Sequence, residues 1–309
     1  MEQNKPYKID EIFNNFLRID SLDFFGQYYK SPNGEFIIAW HDGDPVRKCS
    51  GFRSEGEGTY FLLSKDSIIL SGRMERPNDG NVADNGTFIL NDWMFGEGLK
   101  GTFYAIDRLG KILIKKRFEA NLNNNGISND GRFAVCQTCF SDSPDSNILV
   151  LCDLSNGEER FRKPLESGWA SSYEFDVKDE RLYCVYPKIG KFAYSFSGEF
   201  LDSERWQTER IKVATGFELV DIAKKFYKDL SKDLDPEKGE KILALLEEAS
   251  RRGIDRYPRQ LAVLHRTMGE VFERLGKRPE AIEHFKKALD IDPGIGVRRR
   301  LENLEKAKN

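Results

Sequence analysis

Two cysteines three residues apart, Cys136 and Cys139, have a spacing used by redox pairs and zinc sites. A redox pair lies at a helix N-terminus, which lowers the thiol pKa, whereas SNDGRFAVCQ predicts a strand at this point. Residues three apart in a strand point to opposite faces, and no second pair or nearby histidine completes a zinc set. We therefore interpret both residues as core cysteines.

A histidine and two aspartates cluster in the sequence WHDGD, at the end of a predicted strand. His41 and Asp42 could act as acid and base, together with Asp44 and with Asp79 and Asp92 from other loops. An Asp- and Gly-rich turn explains the same residues with fewer assumptions. We prefer the turn and assign no catalytic residue.

The segment 73–86, RMERPNDGNVADNG, is rich in oxygen-bearing side chains. Asp79, Asn81 and Asp84 could ligate calcium. The spacing does not match an EF-hand loop and no bidentate Glu follows, so we predict a long loop, with no metal and no cofactor.

Tryptophans recur near the ends of predicted strands, where aromatic rings most often fill the space between sheets. The alternative is that Trp40 and Trp93, with His41 and Asp42, form a rim that contacts a ligand at the mouth of the β domain. These four residues are the candidate site of that domain.

Composition limits the function classes. The net charge is −3, 39% of residues are hydrophobic, and no apolar run reaches the roughly 18 residues of a membrane helix. The start lacks a secretory signal, and five cysteines are too few and odd in number for a disulfide framework. We expect a cytoplasmic protein that binds neither nucleic acid nor membrane.

Aromatic residues and charge divide the chain near residues 206–216. Of 37 aromatic residues, 31 precede residue 207, and the net charge is −7 before that point and +4 after it. We predict an N-terminal extension over residues 1–22, a β domain over 23–206 and a helical domain over 207–309. The extension is expected to form a short helix, because Ile9, Ile12, Phe13 and Phe16 share one helical face, or else to add an edge strand.

Two sets of turn markers recur through the β domain at similar intervals. The first set is Gly34, Gly86, Gly131 and Glu180, spaced 52, 45 and 49 residues apart; the second is Ser64, Asp107, Asp153 and Ser195, spaced 43, 46 and 42. This period is typical of β-propeller blades of four strands. The Ser-Pro-Asn-Gly and Ser-Asn-Asp-Gly turns resemble those of WD-type and TolB-like blades.

Strands such as LVLCDL and LYCVY are apolar on both faces, which predicts sheets stacked between sheets. About four blades is the low end for a propeller. A closed ring, an open stack covered by the helical region, and completion by another chain all remain open.

Residues 262–293 contain two amphipathic helical segments joined by Gly-Lys-Arg-Pro. Small residues occur at Gly269, Ala281 and Ala288 and aromatic residues at Phe272 and Phe285. Gly276 lies in the turn, and Pro293 ends the second helix. The segment resembles a tetratricopeptide repeat (TPR). Residues 216–232 and 236–252 predict a further helix pair, and 294–307 a terminal cap with Val297, Leu301 and Leu304 inward.

The resemblance implies that one polar stripe of the first repeat helix faces a peptide-binding groove. Arg266, Glu270 and Arg274 form this stripe at intervals of four residues. They do not reproduce the Lys and Asn pair with which some members grip a terminal carboxylate, and a solvated helix face explains them equally well.

Familiar nucleotide-binding and hydrolase motifs are absent from the sequence. We predict an adaptor or scaffold that binds a protein or peptide, with self-association as a further way to cover its repeats. The alternatives are a β-propeller hydrolase or lyase with a regulatory TPR arm, and a calcium or small-molecule sensor that uses segment 73–86.

Overall fold

The computed structural model describes residues 7–12, 15–51, 53–65, 67–95, 98–228 and 235–306, and the chain divides into two compact units, 1–206 and 207–309. The strands of the first unit are β1 Ile9–Ile12, β2 Phe16–Ile19, β3 Phe24–Lys30, β4 Phe36–His41, β5 Gly58–Ser64, β6 Ser67–Met74, β7 Pro77–Val82, β8 Phe88–Asp92, β9 Gly101–Ile106, β10 Ile112–Phe118, β11 Leu122–Ile127, β12 Phe133–Thr138, β13 Ile148–Asp153, β14 Glu158–Pro164, β15 Ser172–Asp176, β16 Arg181–Tyr186 and β17 Gly190–Ser195.

These strands form four antiparallel sheets in chain order. Each strand pairs with the next along the chain, and the sheets comprise β1–β6, β7–β10, β11–β14 and β15–β17. The predicted all-β region is therefore present, with four antiparallel sheets. The predicted four strands for every sheet are wrong for the first and last, which have six and three.

The first residues of the chain add strands to the first sheet. The short helix expected within residues 1–22 is wrong for the residues described, because β1 and β2 pair antiparallel at the edge of that sheet, as the alternative prediction stated. Leu17 and Ile19, two residues apart, are fully buried against Phe24, so the apolar period is that of a strand. Phe13 lies outside the described residues.

The sheets stack face to face through shared cores. In β8, Phe88 and Leu90 enter a core with residues of the first sheet. Ile89, between them, enters a second core with Ala134 and Cys136 of the third sheet. Alternate side chains of one strand thus serve two cores, which confirms the expectation of sheets stacked between sheets.

The last sheet departs from that expectation. Strand β13 is buried throughout, as LVLCDL predicted, but β16 alternates between buried and partly exposed residues. Leu182 and Cys184 face a core shared with the third sheet and Trp206, whereas Tyr183 and Val185 on the other face stay partly exposed. One face of β16 is therefore not fully covered.

Equivalent turns of successive sheets are hydrogen-bonded to each other. The N–H of Asn33 donates to Asp84 Oδ1 at 2.8 Å, and Asn85 Nδ2 donates to the carbonyl of Asp130 at 2.8 Å. The predicted turn glycines adopt the left-handed conformation, and Glu180, in place of a glycine, does so as well with φ +48°.

Strands β3, β7, β11 and β15, one from each sheet, lie next to one another in that order. Strand β7 contacts β3 and β4, β11 contacts β7 and β8, and β15 contacts β11. Segment 73–86, expected to be one long loop, instead contains the end of β6 and all of β7. Its Asn, Asp and Gly content concealed a strand, because these residues are depleted in most strands.

Helices occupy the chain from Ser203 onward: α1 Ser203–Val213, α2 Gly216–Lys228, α3 Pro236–Arg251, α4 Pro258–Arg274, α5 Arg278–Ile291 and α6 Arg298–Lys306. Helices α2 to α6 were predicted from the sequence. Helix α1 was not, and it covers most of the expected boundary region, residues 206–216.

The helix pair α4 and α5 packs closely at one glycine. A Cβ on Gly269 would lie 2.6 Å from ring carbons of Phe285, so glycine is what allows the two helices to approach. Ala281, Phe285 and Ala288 are fully buried, and Val297 and Leu301 pack onto them from the region of α6. The predicted roles of these residues are confirmed.

Candidate functional site

Strands β3, β7, β11 and β15, one from each sheet, line one cavity of about 540 Å³. Its lining includes residues 27–29 of β3, 78–82 of β7, 123–127 of β11 and 172–173 of β15. Glycines permit close approach between sheets: a Cβ on Gly80 would lie 3.3 Å from the Trp40 ring, and one on Gly126 would lie 3.0 Å from Tyr173. The cavity is large enough for a small-molecule ligand.

Carboxamide side chains dominate the polar lining. They are Asn15, Gln27, Asn78, Asn81, Asn123, Asn124, Asn125 and Asn129. Among the described residues that line the cavity there is no Lys, Arg, His or Glu, and Asp79 is the single acidic one. The cavity therefore offers uncharged donors and acceptors.

Three of these amides are held in place by hydrogen bonds between sheets. Asn81 Nδ2 donates to Asn125 Oδ1 at 2.7 Å, and Asn125 Nδ2 donates to the carbonyl of Asp79 at 3.2 Å. Asn124 Oδ1 accepts from the Tyr173 hydroxyl at 2.8 Å. Strands β7, β11 and β15 are thus linked by side chains around the cavity, which makes this part of the lining rigid.

Asp79 lies in the middle of β7 and lines the cavity, to which it is partly exposed. Burial raises the pKa of its carboxyl to about 7, although the backbone N–H groups of Gly80 and Asn125 offset part of the effect by donating to it. Near neutral pH the group therefore exchanges between an acid that donates and a carboxylate that only accepts.

The four predicted rim residues do not form one surface. Trp40 is 5% exposed and lines the cavity, and its indole N–H has no hydrogen-bond partner within the described residues. Trp93 follows β8, is 37% exposed and is not part of the cavity lining. His41 and Asp42 also lie outside that lining; the His41 ring packs edge-on against Phe24.

The acid–base candidates are engaged with the backbone rather than with one another. Asp42 accepts from the N–H of Gly51, Asp44 from those of Val46, Arg47 and Glu57, and Asp92 from those of Arg76 and Met94. Backbone N–H donation lowers the pKa of Asp44. These aspartates organise turns, and Asp79 lines a different cavity from Asp92.

The calcium candidates have protein partners as well. Asp84 accepts from Asn33, and the Asn81 amide donates to Asn125. Within the described ranges, no three His, Cys, Asp or Glu side chains are grouped closely enough to hold a metal ion.

The Cys136–Cys139 pair is divided between two environments. Cys136 is fully buried in β12, Cys139 follows the strand and is partly exposed, and burial raises the pKa of both thiols. A raised thiol pKa disfavours the reactive thiolate.

The predicted TPR stripe makes contacts inside the helical unit. Glu270 is 8% exposed and accepts from Arg266 at 3.0 Å and from Arg300 of α6 at 2.9 Å. The guanidinium carbon of Arg274 lies 4.1 Å from the ring centroid of Tyr227 in α2. Glu270 and Arg274 are thus positioned by other helices of the unit and Arg266 by Glu270, while Arg266 and Arg274 keep exposed area.

Comparison with known families places a tetratricopeptide repeat at residues 262–295, which covers α4 from Ala262 onward, α5 and the turn between them. The C-terminal region contains a TPR. No curated protein matches the chain. In the described part of the chain, none of the helices is both long and apolar enough to cross a membrane.

The cavity was not predicted from the sequence. Asp79 was predicted only as a loop residue, a possible calcium ligand or acid–base group, Asn81 only as a possible calcium ligand, and no role was predicted for the run of Asn residues at 123–125. The available signal was the recurrence of the polar tetrapeptides NDGN at 78–81 and NNNG at 123–126, 45 residues apart, the same interval as between the turn glycines Gly86 and Gly131.

Proposed function

We propose that the protein is a cytoplasmic adaptor that holds a protein or peptide partner on its helical unit. The observation that carries the proposal is the TPR at residues 262–295, because this repeat generally mediates protein–protein interaction. Five cysteines without a disulfide are consistent with a reducing compartment.

The partner contacts are assigned to Arg266, Glu270 and Arg274. Glu270 is buried and orients Arg266, whose side chain is 44% exposed, and Arg274 is exposed beside Tyr227. Two positioned guanidinium groups separated by two helical turns suit a peptide with acidic or carbonyl groups at matching intervals.

The β unit is proposed to be propeller-like and to serve as a second interaction module. Face-to-face stacking of four sheets and a cavity lined by one strand of each support this arrangement. Its three-stranded last sheet is a place where self-association could add a strand.

Affinity capture from native lysate with quantitative mass spectrometry tests the adaptor function. The full chain is compared with the double variant R266A/R274A and with the matched control K287A, which removes a cation on α5 of the same unit. A partner retained by the wild type and K287A but at least about tenfold depleted by R266A/R274A supports the proposal. The same proteins retained by all three would place binding elsewhere, and a chain that retains none would contradict the adaptor function.

A further inference from the structure

We propose that the cavity lined by β3, β7, β11 and β15 binds a neutral saccharide. The inference goes beyond the adaptor function and does not depend on it, since every lining residue lies in the first unit. It rests on the kind of polar groups present, on which of them are already bonded, and on the absence of cations from the described lining.

The lining matches hydroxyl groups in its donor and acceptor pattern. A sugar hydroxyl donates one hydrogen bond and accepts others, and a carboxamide offers an acceptor and a donor from a single side chain. Eight carboxamides face one space of about 540 Å³ or border it. The unpaired indole N–H of Trp40 adds a buried donor at the wall, and Tyr29, 46% exposed, adds an aromatic ring of the kind that packs on the C–H face of a sugar.

The carboxamides fall into two groups with different roles. Asn81 and Asn125 link β7 to β11, Asn124 links β11 to Tyr173 of β15, and the three form a rigid frame. The side-chain amides of Asn78 and Asn123 make no hydrogen bond within the described residues, although both are only partly exposed. A polar group in a partly buried position without a protein partner is a group available to a ligand.

Other ligand classes fit less well. Phosphates and acidic sugars would carry a negative charge into a space where the described lining has no Lys or Arg to pair with it.

Saturation-transfer NMR and titration calorimetry on the full chain test the proposal. The probes are glucose, galactose, mannose, N-acetylglucosamine and maltose, with glucose 6-phosphate, glucosamine, adenosine and uridine as comparators. We expect at least one neutral saccharide to bind more tightly than every comparator, with saturation transfer to ring protons. No saccharide binding up to about 10 mM, or tighter binding of any comparator, overturns the proposal.

Three asparagine variants locate the site. N78A and N123A remove unbonded amides, so they should fold normally and weaken saccharide binding by roughly five- to tenfold each. N156A removes an asparagine from the β13–β14 turn, outside the cavity, and should leave affinity unchanged. Equal affinities for all three variants would overturn the assignment. R266A/R274A should bind saccharide as the wild type does. A failure of the saccharide proposal can therefore be distinguished from a failure of the adaptor function.

Discussion

The side chain of Asn85 links two consecutive repeats: its Nδ2 donates to the carbonyl of Asp130 at 2.8 Å, and its Oδ1 accepts from the N–H of Thr87 in its own turn. A Cβ on the next residue of the partner turn, Gly131, would lie 2.5 Å from that Oδ1. Gly34 holds the equivalent place in the first turn with the same φ of +73°, and no atom would lie within 4 Å of its Cβ. Alanine variants at the two positions therefore separate the cost of a left-handed backbone from the cost of disturbing the contact between neighbouring turns.

We expect G34A to lower the free energy of unfolding of the β unit by about 1 kcal/mol, the cost of a left-handed alanine. G131A should cost about 1–3 kcal/mol more, because the asparagine must also move. Urea unfolding followed by tryptophan fluorescence measures both, since all four tryptophans lie within residues 1–206. Equal losses would show that the contact between turns contributes nothing to stability.

Replacing Gly269 by alanine should destabilise the helical unit although alanine is the better helix former by about 1 kcal/mol. The new methyl group would lie 2.6 Å from the Phe285 ring, and we expect a net loss of about 1–3 kcal/mol. Circular dichroism at 222 nm follows the helices. In the double variant G269A/F285L the smaller side chain should make the total loss less than the sum of the single losses. A stabilising G269A would contradict the close approach.

The helical unit should lose stability as the pH falls below about 6.5. His265 and His284 meet at 3.1 Å between their Nδ1 atoms; burial lowers the pKa of both, with the neighbouring His284 as a second cause for His265, whose pKa falls to about 4. Between about pH 6.5 and 4 the unfolded chain binds protons that the folded unit does not, so the unfolded state is favoured.

The Tm of the 222 nm transition at pH 7 and pH 5 measures this effect. H265Q should show a smaller decrease in Tm over the same interval than the wild type. Identical decreases for the two proteins would assign the pH dependence to other groups.

Asp79 should give the β unit a pH dependence of opposite sign. Because its pKa is raised from 3.8 to about 7, the folded state binds a proton that the unfolded chain does not between these pH values, and stability decreases as the pH rises through that window. D79N removes the penalty for the charged form. We expect D79N to raise the Tm at pH 8 and to make a smaller difference at pH 4.5, by tryptophan fluorescence. An equal effect at both values would contradict the raised pKa.

Helical features were predictable because their signals are local. Gly269, Ala281 and Phe285 have fixed spacing within one helix pair, and the size of each side chain limits how close the helices can approach. The stripe of Arg266, Glu270 and Arg274 was visible in the same way. The contacts of this stripe with Arg300 and Tyr227 were not predictable. They join Glu270 to a residue 30 positions away and Arg274 to a residue 47 positions away.

The sequence alone determined the alternation of strand and turn, the left-handed turn positions, the TPR helices and the burial of Cys136, since each depends on residues close together in the chain. Only the tertiary structure decided which polar strands share a space. Asp79, Asn81 and Asn125 meet because sheets stack and their first strands converge, and a polar segment facing a cavity has the same composition as one in a loop. A polar composition shows that a segment can face either water or a polar ligand, but it does not show which of the two the segment faces.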